Sequence, residues 1–276
     1  MTRAFILSAS IADPDFATPD IAARLLQQAE AAGLDLLLIG RAGAAPFDPQ
    51  VLAAWAAPRL TRMAVVPVVS TRLGHPFHVA RALSAVDYLA GGLLGWNPVA
   101  EGDASPDHVA DMACATRALW DGWAADTLVI DKASGHYLDR HKVRPSNYEG
   151  PWYKTKGPVN AMRPLQGHPV LVLDAASPFH VEGADIAIAG EGEVKPAAAR
   201  QLRRVTPGAD PAALRTAFDA HLLDGIHIDL EHPTEDLALI AERFAPLAGA
   251  RPASGTLRER LRLPLAAQPA DIGETV

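Results

Sequence analysis

His227, Asp229 and Glu231 have side chains able to hold a metal or move a proton, and they recur at every second position of Gly225-Ile226-His227-Ile228-Asp229-Leu230-Glu231. Alternate residues of a strand share one face, so these three line one side while Ile226, Ile228 and Leu230 line the other. In a closed barrel the apolar side packs on helices and the polar side points into the lumen. Imidazole and carboxylate are ligand types that zinc accepts. With His232 nearby, a metal-dependent barrel hydrolase is one reading. Against it, one strand rarely supplies three ligands, and the first strand carries no His-x-His. The alternative is a polar barrel end beside a site of another kind. His75 and His78 fall at a helix start, Gly74-His75-Pro76-Phe77-His78, where hydrogen bonding to the backbone is the expected role. Asp126, Asp131, Asp139, Glu191 and Glu193 read as solvated loop charges, not as paired catalytic carboxylates.

The elements that would position these groups alternate along the chain. Phe5 to Ser8, Asp35 to Gly40, Met63 to Val69, Leu93 to Trp96, His168 to Leu173, Ala184 to Ala189 and Gly225 to Leu230 are short apolar runs. Such runs suit strands buried on both faces of a parallel sheet. Pro67 weakens the third. Helical spacing or helix-start signals mark Thr18 to Ala29, Pro49 to Ala57, Val79 to Val86, Val109 to Trp123, Pro196 to Arg203, Pro211 to His221 and Glu235 to Ala245. An eighth strand is weakly signalled near Leu202 to Val205. Strand alternating with helix argues a parallel sheet, and 276 residues suit one (β/α)8 barrel domain, residues 1–276. Residues 131–167 are too long and polar for an ordinary connection, and predict a functional excursion or β-hairpin.

A net charge of −7 gives nucleic-acid binding no electrostatic support. Cys114 is the only cysteine, so no internal disulfide can form, and a reducing, cytoplasmic setting is expected. The first residues, Met1 to Leu7, read as a strand and not as a signal peptide. No run approaches the length of a membrane span.

Several stretches, in order, resemble the luciferase-like flavin monooxygenases, in the branch that contains nitrilotriacetate monooxygenase. They are Ser70-Thr71, His75 to Arg81, Asp87-Tyr88-Leu89 with Gly91 to Asn97, Leu119 to Trp123, Lys156 to Asn160, Arg163 to Val170, Asp174 to Ser177, Asp224-Gly225-Ile226 and Thr256 to Leu261. The chain departs from the pattern too. Leu93 stands where the family has Arg after Gly-Gly, an Arg-Tyr pair before Leu119 is absent, and the stretch from Ala189 to Asp224 is short. A compact or partly truncated barrel, a shortened and degenerate member, is expected.

The resemblance implies reduced FMN at the C-terminal mouth of the barrel, supplied by a separate flavin reductase. It implies insertion of one oxygen atom from O2 into a small organic substrate. By position, Thr71 and Asn97 match ring contacts, Ala176 and Ser177 would present backbone N–H groups to the phosphate, and Asp48 matches the acidic residue after strand two. Each could instead be a loop group that caps the next helix. The sequence names no catalytic base. A flavin-binding pseudoenzyme of the same fold is the second reading, favoured by the missing motifs. Apolar residues Val79, Ala82, Leu83 and Val86, with Met112, Leu119 and Trp120, predict an exposed patch covered in a homodimer.

Overall fold

Eight short strands, most of them apolar and β7 rich in arginine, form the frame: β1 (Ile6–Ile11), β2 (Leu36–Ile39), β3 (Ala64–Ser70), β4 (Gly95–Val99), β5 (Val170–Asp174), β6 (Ile186–Ala189), β7 (Arg200–Arg204) and β8 (Gly225–Asp229). Each pairs in parallel with its neighbour in sequence, and β8 closes on β1 through Ile6↔Gly225 to Ser10↔Asp229. The structure is a computed structural model that describes residues 3–12, 18–40, 47–72, 74–100, 105–174, 181–249, 252 and 254–266. The fold is the expected (β/α)8 barrel, with all eight strands in place.

The outer ring consists of α1 (Pro19–Ala31), α2 (Pro49–Ala56), α3 (Pro76–Leu89), α4 (Pro106–Trp120), α5 (Pro211–Asp219) and α6 (Pro233–Arg243), with the short α7 (Ala245–Ala248) and α8 (Leu257–Leu261) near the end of the chain. All six longer helices begin with proline, whose fixed φ and missing N–H suit the first turn. Side chains of Thr18, Asp48, His75 and Asp210 accept backbone N–H groups at four of these starts. Pro67 lies where the ladder to β2 ends, although Val65 already bridges to Leu94 on the other side. Contact with β2 ends at Ile39↔Pro67, and contact with β4 runs from Val68↔Asn97. The long excursion contains two hairpins, Leu128–Asp131 with His136–Leu138 and Tyr148–Glu149 with Lys154–Thr155. Among the described residues no helix is long and apolar enough to cross a membrane.

Two expectations fail. Pro196 to Arg203 is not helical: Arg200–Arg204 is β7, paired with β6 and β8. The run Ala197-Ala198-Ala199 favours a helix locally, but closing the ring requires a strand here, and pairing on both edges overrides propensity. The exposed apolar patch on α3 and α4 is also not seen: of its residues only Ala82 is partly exposed. Val79, Leu83, Val86, Met112, Leu119 and Trp120 are all buried within the single chain. Helices α3 and α4 pack together, Trp120 Nε1 donates to Ala80 O at 2.9 Å, and the Trp120 ring meets Trp96 edge-on.

Alternation along the strands makes two cores. One lies between strands and helices. The other fills the lumen with Ile6, Leu36, Val66, Val172, Ile186, Leu202 and their neighbours, and α8 caps it from below through Leu257 and Leu261. That floor is polar in its joints. Asp87, fully buried, accepts Gln166 Nε2 at 2.7 Å and Gln166 N at 3.2 Å, and Gln166 Nε2 also reaches Leu94 O.

Burial lifts the Asp87 carboxyl to about 6, despite those bonds. A folded pKa above the ordinary value of 3.8 adds stability at low pH, and that stability is lost as pH rises through about 6. Paired urea melts of wild type and Asp87→Asn should therefore diverge with pH. Lowering the pH from 7 to 4.5 should favour wild type over the variant by about 2 kcal/mol. An identical difference at both values would refute the buried titration.

Candidate active site at the barrel mouth

The C-terminal ends of the strands bring polar side chains into an otherwise apolar lumen. Ser8 and Ser10 come from β1, Asn97 from β4, Asp174 from β5, Arg204 from β7, and His227 and Asp229 from β8. Neighbours in register face each other across adjacent strands: Ser8 opposite His227, Ser10 opposite Asp229, Arg204 opposite His227.

On the β5–β8 side, one guanidinium organises three carboxylates. Arg204 Nη2 bonds both oxygens of Asp174 at 2.6 Å, Nε bonds Asp229 Oδ2 at 3.1 Å, and Nη1 lies 3.5 Å from Glu193 Oε2. Burial disfavours the charged guanidinium, but Asp174, then Asp229 and Glu193, outweigh it and raise the Arg204 pKa. Asp229 Oδ1 also accepts Ser10 Oγ at 2.5 Å and faces His227 Nε2 at 3.4 Å. The His227 imidazole, the Ser10 hydroxyl and Arg204 hold the Asp229 carboxyl well below the usual range, against burial. His227 is wholly buried, with Nδ1 2.9 Å from Ser8 Oγ. Its Nε2 makes no bond of good geometry, and Asp229 is the facing acceptor.

On the β3–β4 side, the excursion folds over the rim. Asp111 of α4, nearly fully buried, accepts the backbone N–H groups of Trp152 and Tyr153 at 2.8 and 2.7 Å and the Tyr148 hydroxyl. Gly150 permits this approach, since a Cβ there would lie 1.8 Å from Asp111 Oδ1. His108 stacks on Trp152 and lies against Tyr153, while His75 meets Tyr153 edge-on. Burial, then the Asp111 charge, raises the Tyr153 hydroxyl to about 12, so it keeps its proton and donates to Thr71 O at 3.4 Å.

Of the residues singled out from sequence, Thr71 and Asn97 come to this rim. Thr71 is buried at the end of β3, and its Oγ1 has no hydrogen-bond partner. Asn97 is buried too, and its Nδ2 donates to Val172 O at 2.8 Å, so part of its amide is used to join β4 to β5. Asp48 caps α2 through Gln50 N. Ala176 and Ser177 lie outside the described residues. His75 caps α3, as expected. The proposed metal trio is divided: Asp229 is committed to Ser10 and Arg204, and Glu231 lies beyond the strand with its N–H on Asp236. No group of three His, Cys, Asp or Glu suited to a metal occurs among the described residues. Leu93, the apparent defect, belongs to the lumen cluster that α8 covers, at the floor and not at the mouth. Sequence reasoning missed Arg204 and its ring of acids and took Glu193 for a free loop charge. The available signal was an arginine two positions after Leu202 on the weakly marked strand, with Asp174 ending another.

No protein-family model matches the chain. Over 247 residues it is 30% identical to a component of the pristinamycin IIA synthase of Streptomyces pristinaespiralis, an alignment that covers 87% of each protein. The chain belongs to the luciferase-like flavin monooxygenases. This luciferase-like chain is also 31% identical over 156 residues to dibenzothiophene-sulfone monooxygenase of Rhodococcus erythropolis. That alignment covers 51% of the chain but 34% of the relative, so the matched part spans about a third of that protein. Among solved structures, a riboflavin lyase crystallised with modified FMN and riboflavin superposes with a TM-score of 0.74 at 19% identity. The match covers 94% of this chain and 96% of that one, and it is a likeness of fold.

The docked excursion supplies a test. Gly150→Ala should drive a methyl group into the Asp111 carboxylate and destabilise this luciferase-like barrel by about 1–3 kcal/mol. Differential calorimetry should show the lowered transition, and the near-ultraviolet signal of stacked Trp152 should weaken. An unchanged melt and spectrum would contradict the packing described.

Proposed function

We propose that this chain is the oxygenating component of a two-component monooxygenase. It would take reduced FMN from a separate reductase and insert one oxygen atom from O2 into a small organic substrate. Family membership over most of the chain supports the reaction class. The observation that carries the cofactor is Thr71 Oγ1, a buried hydroxyl without a partner at the mouth end of β3. A buried polar atom left unbonded is costly unless a ligand satisfies it.

Thr71 and the remaining capacity of Asn97 would hold the flavin ring, Asp48 would stand at its rim, and Ala176 and Ser177 would meet the phosphate after β5. When bound, reduced FMN supplies the two electrons that send one oxygen atom of O2 to the substrate and the other to water. The protein's part is to position and to exclude water. The excursion covers the rim through Tyr153, which keeps its proton and fixes the backbone of Thr71. Across the mouth, Arg204 with Asp174 and Asp229 forms a rigid polar wall. A cytoplasmic setting, where reductase and O2 meet, suits the reading.

Titration with FMN, oxidised and anaerobically reduced, should give saturable binding. Thr71→Val, which keeps the shape and removes the hydroxyl, should weaken it about fivefold, the value of one hydrogen bond of about 1 kcal/mol. Asn97→Ala should weaken binding and also lower the melting temperature, because the link to Val172 goes with it. Failure to bind either redox form would remove the reading's support.

A further inference from the structure

Thr71 Oγ1, the hydroxyl that carries the cofactor reading, is sealed from solvent. A ring as large as flavin cannot reach it with the rim arranged as it stands, so some element has to move. Among the described residues, the side chain bonded to Thr71 is that of Tyr153. Tyr153 is itself buried, next to the hairpin of Tyr148–Glu149 with Lys154–Thr155.

This hairpin is built to move as a unit. Its own backbone closes it: Asn147 N donates to Lys156 O at 3.1 Å, and Gly150 N to Tyr153 O at 2.9 Å. Among the described residues no backbone-to-backbone bond joins residues 148–155 to the barrel. The chain is anchored just outside it, where Arg144 N donates to Gly122 O and Trp123 Nε1 to Val159 O. Between hairpin and anchors stand Asn147 and Gly157, at φ of 45° and 67°. Asparagine and glycine tolerate this left-handed region best, and hinges are a few loop residues that absorb a change of dihedral angle.

The tip is held down chiefly by one carboxylate. Asp111 accepts Trp152 N, Tyr153 N and the Tyr148 hydroxyl, and His108, one turn earlier on α4, stacks on Trp152. When the tip lifts, water takes over these bonds, so their net value is modest. Local opening of this kind costs less than unfolding the strands beneath.

We propose that residues 148–155 form a lid latched by Asp111. The hairpin swings about Asn147 and Gly157, uncovers Thr71, and closes again over what has entered. That the guest is FMN rests on the oxygenase reading above, whereas the swing does not.

Hydrogen exchange on the whole chain, resolved to single amides, tests the swing. The amides of Trp152 and Tyr153 are bonded to Asp111, yet in wild type they should exchange at least about a hundredfold faster than those of β3. Asp111→Asn keeps the volume, removes the charge from the latch, and should speed both about tenfold. Trp152→Ala, at a half-exposed ring, removes only the stack and should speed Tyr153 about threefold. Stopped-flow binding of FMN reads the gate. A latch is crossed on entry and on exit, so Asp111→Asn should raise association and dissociation rates by the same factor, about tenfold, and leave Kd within about twofold. Damage to the site alone would raise Kd instead, and would overturn the gate. Equal exchange of the lid and β3 amides in wild type would overturn the swing. FMN rates left at wild-type values in Asp111→Asn would overturn its control of entry. Failure of wild type to bind FMN sinks the cofactor reading, and the exchange rates then decide the lid by themselves.

Discussion

Arg258 reaches from α8 into the floor of the barrel and grips Asp185 with two nitrogens, each 2.8 Å from a carboxylate oxygen, where both residues are almost sealed from water. The pair is a junction. Asp185 Oδ2 also accepts Leu171 N at the entry to β5, and Arg258 Nε donates to His168 O. Arg258 N meets Gln166 Oε1, and Gln166 continues to Asp87 and Leu94. One buried ion pair thus gathers α3, the entries of β4, β5 and β6, and the C-terminal helix. Removing either partner would leave a buried charge uncompensated, a loss of about 3–5 kcal/mol. Replacing both with well-packed apolar groups need not be so costly, so the pair's importance lies in the geometry it fixes.

Most stretches that resemble the family converge on this floor or on the shell around it. Asp87, Gln166 and the segment Thr256 to Leu261 meet directly, and α8 opens with a capping box between Thr256 and Glu259. The Trp120-Asp121-Gly122-Trp123 segment is structural as well: Asp121 joins Arg163 and His168, and Trp123 Nε1 donates to Val159 O. Relationship is thus written in the residues that build the scaffold. The proposed flavin contacts lie at the opposite end, on strand tips and loops. That division lets the mouth change without disturbing the floor, and it explains why Leu93 can replace an arginine without touching the site.

Seven strands were legible because burial on both faces demands unbroken apolar runs, and sequences such as Leu36 to Ile39 satisfy little else. β7 was nearly illegible for the opposite reason. Arg200-Gln201-Leu202-Arg203-Arg204 places only Leu202 in the buried core, and its arginines serve the loops and the mouth. The helix expected there followed alanine propensity, which pairing on two edges overrides. Thr71 and Asn97 were found through local motifs. The Arg204 cluster was not, because Asp174, Glu193 and Asp229 come from separate segments and only barrel closure brings them together. The argument for an exposed apolar patch failed on packing. Faces that looked surplus in sequence are used up where α3 and α4 press together around Trp120.

The link from Gly190 to Ala199 passes from β6 to β7 without a helix. The outer side of these strands has instead a small cavity of about 100 Å³ beside Leu222 and Leu223. Along most of the ring, helices clamp the strands from outside. Along this arc, Arg204 pins β7 to the tips of β5 and β8 and to the Glu193 loop from within. The barrel therefore has one panel whose stiffness is ionic rather than steric. Contact pairs this close and this far from bulk water are screened little by dissolved salt. The shape of this panel therefore depends on one side chain, whose guanidinium is shared by three separate segments of the chain.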